Sequence, residues 1–358
     1  MILCPEFFDG RANGIGRVSG VFYDCLTDMG RSPLVWSANE PDARCREQGG
    51  RGFGRNYFKM MLAAAFGRTA SPAPSVIACM HLGLSPAARL LAARAGAPYV
   101  VFLHGVEAVR KIRGRGRWGL AKAALLMANS RFTLSRFVQA NPECAGLPAA
   151  VTPLGIGELK PAQGEGAQPN RRILIVSRMD KADDYKGHRV LIQALGLLAD
   201  RFPDVALTVV GDGDDRADIE AYAASLPYAA RIEFLGRVPD ARLGQLYGQS
   251  AVFAMPSAGE GFGLVFLEAM AHGLPCVCGN RDASSEVVTD GLTGYCLPPD
   301  DPTAVAEGLG RLLADEGLRR RFGEAGRARY QAEFTTEHFK RRVRAALDRA
   351  TGATGRSS

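Results

Sequence analysis

The stretch "VFAMPSAGEGFGLVFLEAMAHGLPCVC", Val252 to Cys278, decides how the rest of the chain is read. The opening run "VFAMPS" has the length and composition of a buried strand. Ala258–Gly261 is a Gly-rich turn, Gly263–Ala271 reads as a helix and Pro275–Cys278 as the next strand. A strand that returns through a helix to a second apolar strand is the repeating unit of a parallel sheet. Two carboxylates, Glu260 and Glu268, sit eight positions apart in this unit, one at the turn and one inside the apolar helix. Such a pair has two uses. One is a glycosidase pair; the other is recognition, each carboxylate accepting from sugar hydroxyls. Glycosidases do not usually present both groups on a strand–turn–helix, and the N–H groups of Phe262, Gly263 and Leu264 are expected to open toward phosphate, so recognition is the better reading.

The same rhythm runs through the whole chain. Before the quoted stretch, strand-like runs at Arg172–Ser177, Ala206–Val210 and Arg231–Leu235 alternate with helical patterns at Gly187–Arg201, Ala217–Leu226 and Asp240–Gln249. After it come Gly294–Leu297, a helix over Thr303–Ala314 and a further Arg-rich helical segment ending in the tail "TGATGRSS". The first half repeats the pattern with strands at Ile2–Cys4, Pro33–Trp36, Ser75–Cys79, Tyr99–Leu103, Leu125–Asn129 and Ala150–Thr152, and helices near Gly16 and Pro86. Between the halves, Gly157–Asn170 has a linker's composition. The expected fold class is therefore α/β, with two Rossmann-like domains: residues 1–165, residues 166–330, and a C-terminal helix over 331–358 crossing back to the first domain. Ligands of such sheets bind at the carboxyl ends of strands, and two facing domains place their sites in one cleft.

At 358 residues, with 47% apolar and 23% charged residues, the chain has the profile of a two-domain globular protein. No apolar run is long enough for a spanning helix, and the N-terminus lacks the marks of a signal peptide. Eight scattered cysteines form no C-x-x-C pair or zinc set, so a reducing, cytoplasmic setting is expected. The net charge of +7 is uneven: residues 1–165 hold 20 Lys and Arg against 11 Asp and Glu, residues 166–358 hold 24 against 26. The densest basic run, beginning "RKIRGRGRW", carries Arg110, Lys111, Arg113, Arg115 and Arg117 next to Trp118. It fits either a surface docking on anionic membrane or a solvated loop feeding a core helix. Nucleic acid is not an expected partner.

Other residues carry the chemistry. "DGRANGIGRVSG", Asp9–Gly20, follows the first strand; Gly14 and Gly16 would let an anionic group approach the helix start, although Ser19 replaces the third glycine of a dinucleotide motif. His104 ends a buried strand, followed by Gly105 and Glu107. His188 and His272 fall on helices and read as structural or solvent-facing. In "IVSRMDKADDYKGHRVL", Arg178 leaves a strand and Lys186 opens a helix; a guanidinium fork and an ammonium suit a diphosphate. Asp183 and Asp184 are expected to cap that turn. Asp212, Asp214 and Asp215 resemble a calcium loop only superficially, since the glutamate of its twelfth position is missing and the segment follows a strand; they read as a turn and helix cap.

Taken in order, Glu260–Glu268, the "SR…YKG" of Arg178–Gly187, the Gly-rich loop Asn13–Arg17, "HG-x-E" at His104, "ANSRFT" (128–133) and "EVVTDGLTGYCLPPDD" (286–301) resemble the family 4 glycosyltransferases, retaining enzymes of the GT-B fold. The resemblance covers nearly the whole chain. It implies that Arg178 and Lys186 hold the donor diphosphate as it leaves. Glu268 would accept from the ribose hydroxyls, and Glu260 would contact the donor sugar beside Gly261 and the Phe262–Leu264 amides. His104 would lie near the reacting centre, with Gly14 and Gly16 over the phosphates. It further implies no metal or other cofactor, a nucleotide diphosphate sugar as co-substrate (GDP-mannose first, a UDP-hexose second) and a glycan or polyprenyl-linked acceptor met at the inner membrane face. Two departures stand out: the family's C-terminal F-x-W appears as "FTTEHF", without Trp, and the first strand is short and followed by "PEFFDG". A nucleotide-sugar 2-epimerase and a non-catalytic nucleotide-sugar-binding protein are the rival readings.

Overall fold

The computed structural model describes residues 1–8, 14–47, 49–67, 73–105, 107–157, 159 and 171–352, the Asp183 side chain aside. Asp9–Asn13, most of the expected linker and the last six residues of the tail lie outside them. The chain divides into two compact units. One is Met1–Leu154 with Thr336–Ser358, and the other is Gly155–Thr335.

The first unit is built on seven parallel strands: β1 (Ile2–Cys4), β2 (Val35–Ser37), β3 (Arg51–Gly52), β4 (Ile77–Cys79), β5 (Tyr99–Leu103), β6 (Leu125–Ala128) and β7 (Ala149–Val151), in the order β3-β2-β1-β4-β5-β6-β7. Its helices are α1 (Gly14–Asp28), α2 (Asp42–Glu47), α3 (Tyr57–Phe66), α4 (Ser85–Ala95), α5 (Gly114–Leu120), α6 (Arg131–Ala140) and, from the end of the chain, α14 (Thr336–Thr351). Alternate residues of β5 serve opposite layers, as the period of a strand requires. Tyr99, Val101 and Leu103 join a core with Met60, Leu91, Leu120 and Phe137 of α3–α6. Phe102 on the other face meets Phe22 of α1, which in turn meets Phe339 of α14.

The second unit repeats the plan with β8 (Arg172–Val176), β9 (Ala206–Val210), β10 (Ile232–Gly236), β11 (Val252–Met255), β12 (Cys276–Gly279) and β13 (Gly294–Leu297), all parallel, in the order β10-β9-β8-β11-β12-β13. Around them lie α7 (His188–Leu198), α8 (Arg216–Ala224), α9 (Asp240–Gly248), α10 (Leu264–Ala271), α11 (Ser284–Val287), α12 (Pro302–Ala314) and α13 (Glu316–Glu333). In both sheets the third, second, first and fourth strands lie side by side. The winding reverses between the first and fourth, and the loops leaving those two strands diverge to opposite faces, which opens a ligand crevice there.

The division falls at Leu154/Gly155 and Thr335/Thr336, not at the expected 165/166 and 330/331. The physical reason is pairing. Ile156 bridges Thr335, the Ile156 N–H donates to the Phe334 carbonyl at 3.0 Å, and the Tyr330 hydroxyl donates to the Gly157 carbonyl at 2.8 Å. Residues 155–157 are thereby tied to the end of α13. Every cysteine is a free thiol, and Cys278 and Cys296 face each other across β12 and β13 at 3.4 Å.

Candidate functional site

In the second unit the loops after β8 and β11 flank the reversal point, and the sequence motif residues sit on them. After β8 the chain passes Arg178, makes a tight 3-10 turn over Lys181–Lys186 and enters α7 through Gly187. Gly187 has φ +81°, and a Cβ there would lie 2.2 Å from the Pro256 carbonyl oxygen at the end of β11. Only glycine allows both the left-handed turn and that approach. The Ala258 N–H donates to the Tyr185 carbonyl at 2.9 Å, and the Tyr185 ring lies against Gly259. These contacts bring the two loops together and set Lys186 on Glu260.

The Lys186 ammonium donates to the Glu260 carboxylate. The two side chains are only 12% and 17% exposed, so water screens the pair little. Burial alone would raise the Glu260 carboxyl, but the Lys186 charge and hydrogen bond, with the Phe262 and Gly261 N–H groups, outweigh it and hold the carboxyl below its usual range. This corrects one expectation. The Phe262 N–H is turned onto the Glu260 side chain, because that carboxylate folds back over its own turn. Gly263, with φ +89°, starts α10, and its N–H and that of Leu264 head a helix whose first amides have no carbonyl within the helix to bond.

Behind this turn stands Asp282, which is buried. One of its carboxylate oxygens accepts from the Ser257 hydroxyl at 2.6 Å and the Glu260 N–H at 2.8 Å; the other accepts from the Ser284 N–H at 3.0 Å and the Ser284 hydroxyl. Burial nonetheless pushes this carboxyl above its usual range. The Glu260 carbonyl accepts from the Ala283 N–H at 3.1 Å, so both ends of the Glu260 peptide unit are tied to the same loop. Glu268 is buried on α10 and accepts from the Tyr247 hydroxyl at 3.0 Å. Arg178 is 63% exposed and pairs with Asp180 at 3.1 Å, not with the Lys186–Glu260 pair.

Neighbouring polar residues are structural. His188 is buried and bonded to the Ser177 hydroxyl at 2.9 Å; burial, with the Lys186 and Arg189 charges, pushes it down to about 4. His272 is half-buried, not solvent-facing: it stacks on Tyr247, and its Nδ1 bonds the Glu268 carbonyl at 2.8 Å. Asp214 accepts from the Lys181 N–H at 2.7 Å at the start of the 3-10 turn; of the two acids expected to cap that turn, the Asp183 side chain lies outside the described residues. Asp215 stands at the start of α8 without a side-chain cap bond and faces Arg189 at 3.4 Å.

In the first unit His104 leaves β5 beside the reversal point. Its Nε2 bonds the Met80 carbonyl at 2.8 Å and therefore carries the proton, which leaves Nδ1 as the ring's acceptor. Burial pulls the imidazole below its ordinary range against the Glu107 charge and the Met80 bond, so it is neutral at pH 7. Glu107 accepts from the His104 N–H at 2.6 Å, and the Asn129 side chain donates to the His104 carbonyl at 2.8 Å. Gly14 opens α1 with no atom within 4 Å of where a Cβ would stand, Gly16 is buried, and Ser19 bonds the Ile15 carbonyl within the helix. Asn13 lies outside the described residues.

A family model described as glycosyl transferases group 1 matches residues 159–329, essentially the second unit. That stretch of the chain belongs to the family. It is 39% identical over 164 residues to a phosphatidyl-myo-inositol mannosyltransferase of Mycobacterium tuberculosis, a match that covers 44% of this chain and 42% of that protein. It is 34% identical over 259 residues, 66% of each chain, to a GDP-mannose-dependent alpha-(1-6)-phosphatidylinositol monomannoside mannosyltransferase of Mycolicibacterium smegmatis. The chain thus spans less than half of the first of these relatives. Among solved structures, a Rickettsia africae glycosyltransferase aligns with a TM-score of 0.78 at 18% identity, over 99% of this chain and 98% of that one. Anabaena HepE, solved with UDP and glucose, aligns at 0.74 and 20% identity over 97% and 99%. At such identity the likeness is one of fold, and the fold is GT-B.

Within this group 1 glycosyl transferase match, sequence reasoning located Lys186, Glu260 and the Gly-rich turn, and the fold joins them. It missed Asp282, Tyr247 and Tyr185. Asp282 had one local signal: an Asp followed two and three residues on by Ser284 and Ser285 is the pattern of a side chain bonding its own turn. Tyr247 had none, because it meets Glu268 only through the packing of α9 on α10. Among the described residues no His, Cys, Asp and Glu cluster has the makings of a metal site.

Proposed function

We propose that the chain is a retaining hexosyltransferase. It takes a hexose from a nucleotide diphosphate sugar, GDP-mannose first and a UDP-hexose second, and places it on a lipid-linked or polysaccharide precursor. The observation that carries this reading is the buried Lys186–Glu260 pair on two loops flanking the reversal point, with Glu268 behind the same Gly-rich turn. The mannosyltransferase relatives support GDP-mannose, and the fold shared with a UDP-bound protein supports the second choice.

The arriving diphosphate competes with Glu260 for the Lys186 ammonium. Lys186 then balances the charge that grows on the leaving phosphate, and the largely exposed Arg178 guanidinium exchanges Asp180 for a bidentate contact to the phosphate. Glu260, released from Lys186, accepts from hydroxyls of the donor sugar. Glu268 accepts from the ribose, and the first amides of α10 face phosphate. In the first unit, taken by itself, the neutral His104 ring suits a sugar hydroxyl, and the start of α1 at Gly14 and Gly16 suits a phosphate. With no side chain set as a nucleophile among the described residues, the acceptor hydroxyl attacks on the face the diphosphate leaves, and the leaving phosphate oxygen takes its proton. Lysine, arginine and helix amides do the work a divalent cation does elsewhere, so EDTA should leave the rate unchanged. The transfer occurs at a membrane surface, where Arg110, Lys111, Arg113, Arg115 and Arg117, exposed on and before α5, meet anionic headgroups.

The test is turnover of GDP-mannose and UDP-glucose with phosphatidylinositol or polyprenyl-phosphate vesicles, the product's anomeric configuration being read by NMR. Transfer with the donor's configuration kept is the expected result. Inversion, isomerised donor without acceptor, or binding without turnover would each replace the reading.

A further inference from the structure

Helix α3, "YFKMMLAAAF", has one charged residue in ten. Its inner side is already satisfied, because Met60, Ala63 and Ala64 are buried in the first unit's core. Its outer side is apolar as well. Phe58, Leu62 and Phe66 follow one another at successive turns, 74%, 45% and 83% exposed, with Tyr57 at 51% beside them. A surface helix ordinarily turns polar residues to water on the face opposite the core. Four large apolar side chains on the outside of one short helix form a patch that water disfavours.

The charge around this patch identifies what it meets. Residues 51–140 hold 14 Lys and Arg and a single acid, Glu107. Helices α3, α4, α5 and α6 all come from this stretch and contribute to the core on the same face of the sheet. Residues 1–50, by contrast, hold 5 basic and 7 acidic residues. The cations are thus concentrated in the helical layer that carries the exposed aromatics, with Lys59 on α3 itself and Arg55 just ahead of it. Helix α5 adds less apolar surface: Trp118 is 42% exposed and carries the Arg89 guanidinium 4.3 Å from its ring. A second copy of the chain is a poor occupant, because two such layers would repel each other.

We propose that α3 seats the first unit in an anionic lipid surface, with Phe58, Leu62 and Phe66 entering the headgroup–acyl boundary and the cations of the same layer meeting lipid phosphates. An amphipathic helix with a basic surround gains from both contributions at once. The proposal deepens the functional reading by naming the element that reaches the lipid, but it rests on α3 and the charge count, not on any step of sugar transfer.

The test is co-sedimentation of the full chain with vesicles of phosphatidylcholine alone or mixed with phosphatidylglycerol. The wild type should sediment with the mixed vesicles, less so at high salt, and poorly with phosphatidylcholine alone. F58Q/F66Q, altered at two largely exposed positions, should keep the wild-type melting point and lose at least about 10-fold in partitioning. Wild-type-like binding by F58Q/F66Q overturns the proposal, as does absence of binding by the wild type. A dimer in sedimentation equilibrium that F58Q/F66Q dissolves also overturns it, in favour of a second copy. GDP titrated into the same samples separates the two readings: vesicle binding without nucleotide binding sinks the transferase and not α3, and the converse sinks α3 alone.

Discussion

Replacing Lys186 with methionine removes the ammonium that holds Glu260 and leaves a side chain of similar reach. Both partners are more than four-fifths buried, and breaking a pair buried to that degree by removing one member costs about 3–5 kcal/mol. The Gly261 and Phe262 N–H groups still bond the carboxylate, which puts the expected cost near the lower end, about 3 kcal/mol. The double variant K186M/E260Q removes the stranded charge, so part of the loss should return as a coupling of about 1–3 kcal/mol. The cost also depends on pH. In the wild type the carboxyl lies below 4.5, so its contribution is present above that pH and is lost as pH falls through the lowered value. Without Lys186 the carboxyl rises and is neutralised sooner on acidification. The gap between wild type and K186M should therefore shrink from pH 7 toward pH 4. Both tryptophans, Trp36 and Trp118, lie in the first unit, so intrinsic fluorescence reports the wrong part of the chain. Hydrogen exchange of second-unit amides in β8 and β11 is the suitable assay. Coupling below about 0.3 kcal/mol, within the scatter of independent sites, would refute the reasoning.

Further outcomes follow from the same loops. His188 is held at about 4 against an ordinary 6.5, so the unfolded chain takes up a proton first on acidification. This contributes about 3 kcal/mol that is present above pH 6.5 and lost between pH 6.5 and 4, and H188Q should flatten that part of a pH–stability curve. D282N sets an amide NH2 against a pair of donors that need an acceptor, and should cost about 2–3 kcal/mol while raising KM for the donor, read by steady-state kinetics beside a melting curve. G187A meets both a left-handed backbone and the Pro256 carbonyl, so at least about 2 kcal/mol of stability should go, together with donor binding. K186A should lower turnover by about 10²–10³ if the ammonium steadies the leaving group.

The parallel sheets were legible because their strands are short apolar runs between turn signals. Tyr99–Leu103, Ala206–Val210, Val252–Met255 and Gly294–Leu297 stand where the sequence puts them. Errors gathered at strand ends, where Pro33 and Pro275 look like strand entries but the ladder starts one or two residues later. Two-residue β3 and apolar α3 escaped notice, the first for its length and the second because a helix that is greasy on both sides shows no period. Within the site, residues joined by local chain geometry were readable: Lys186, Glu260 and the glycines. Those joined only through packing, such as Tyr247 on Glu268 and Asp282 under the Glu260 turn, leave no spacing to find. The unit boundary moved for the same reason, since Ile156 meets Thr335 across nearly the full second unit.

The central claim is that the Lys186–Glu260–Glu268 constellation binds a nucleoside diphosphate. Calorimetric titration of GDP and UDP into the full chain, its K186M variant and its E268Q variant tests it most directly. The account predicts that one of the two nucleotides binds the wild type and that each variant weakens it by about 10–100-fold, the size of a hydrogen bond to a charged group. It is contradicted if neither nucleotide binds, or if both variants bind as the wild type does.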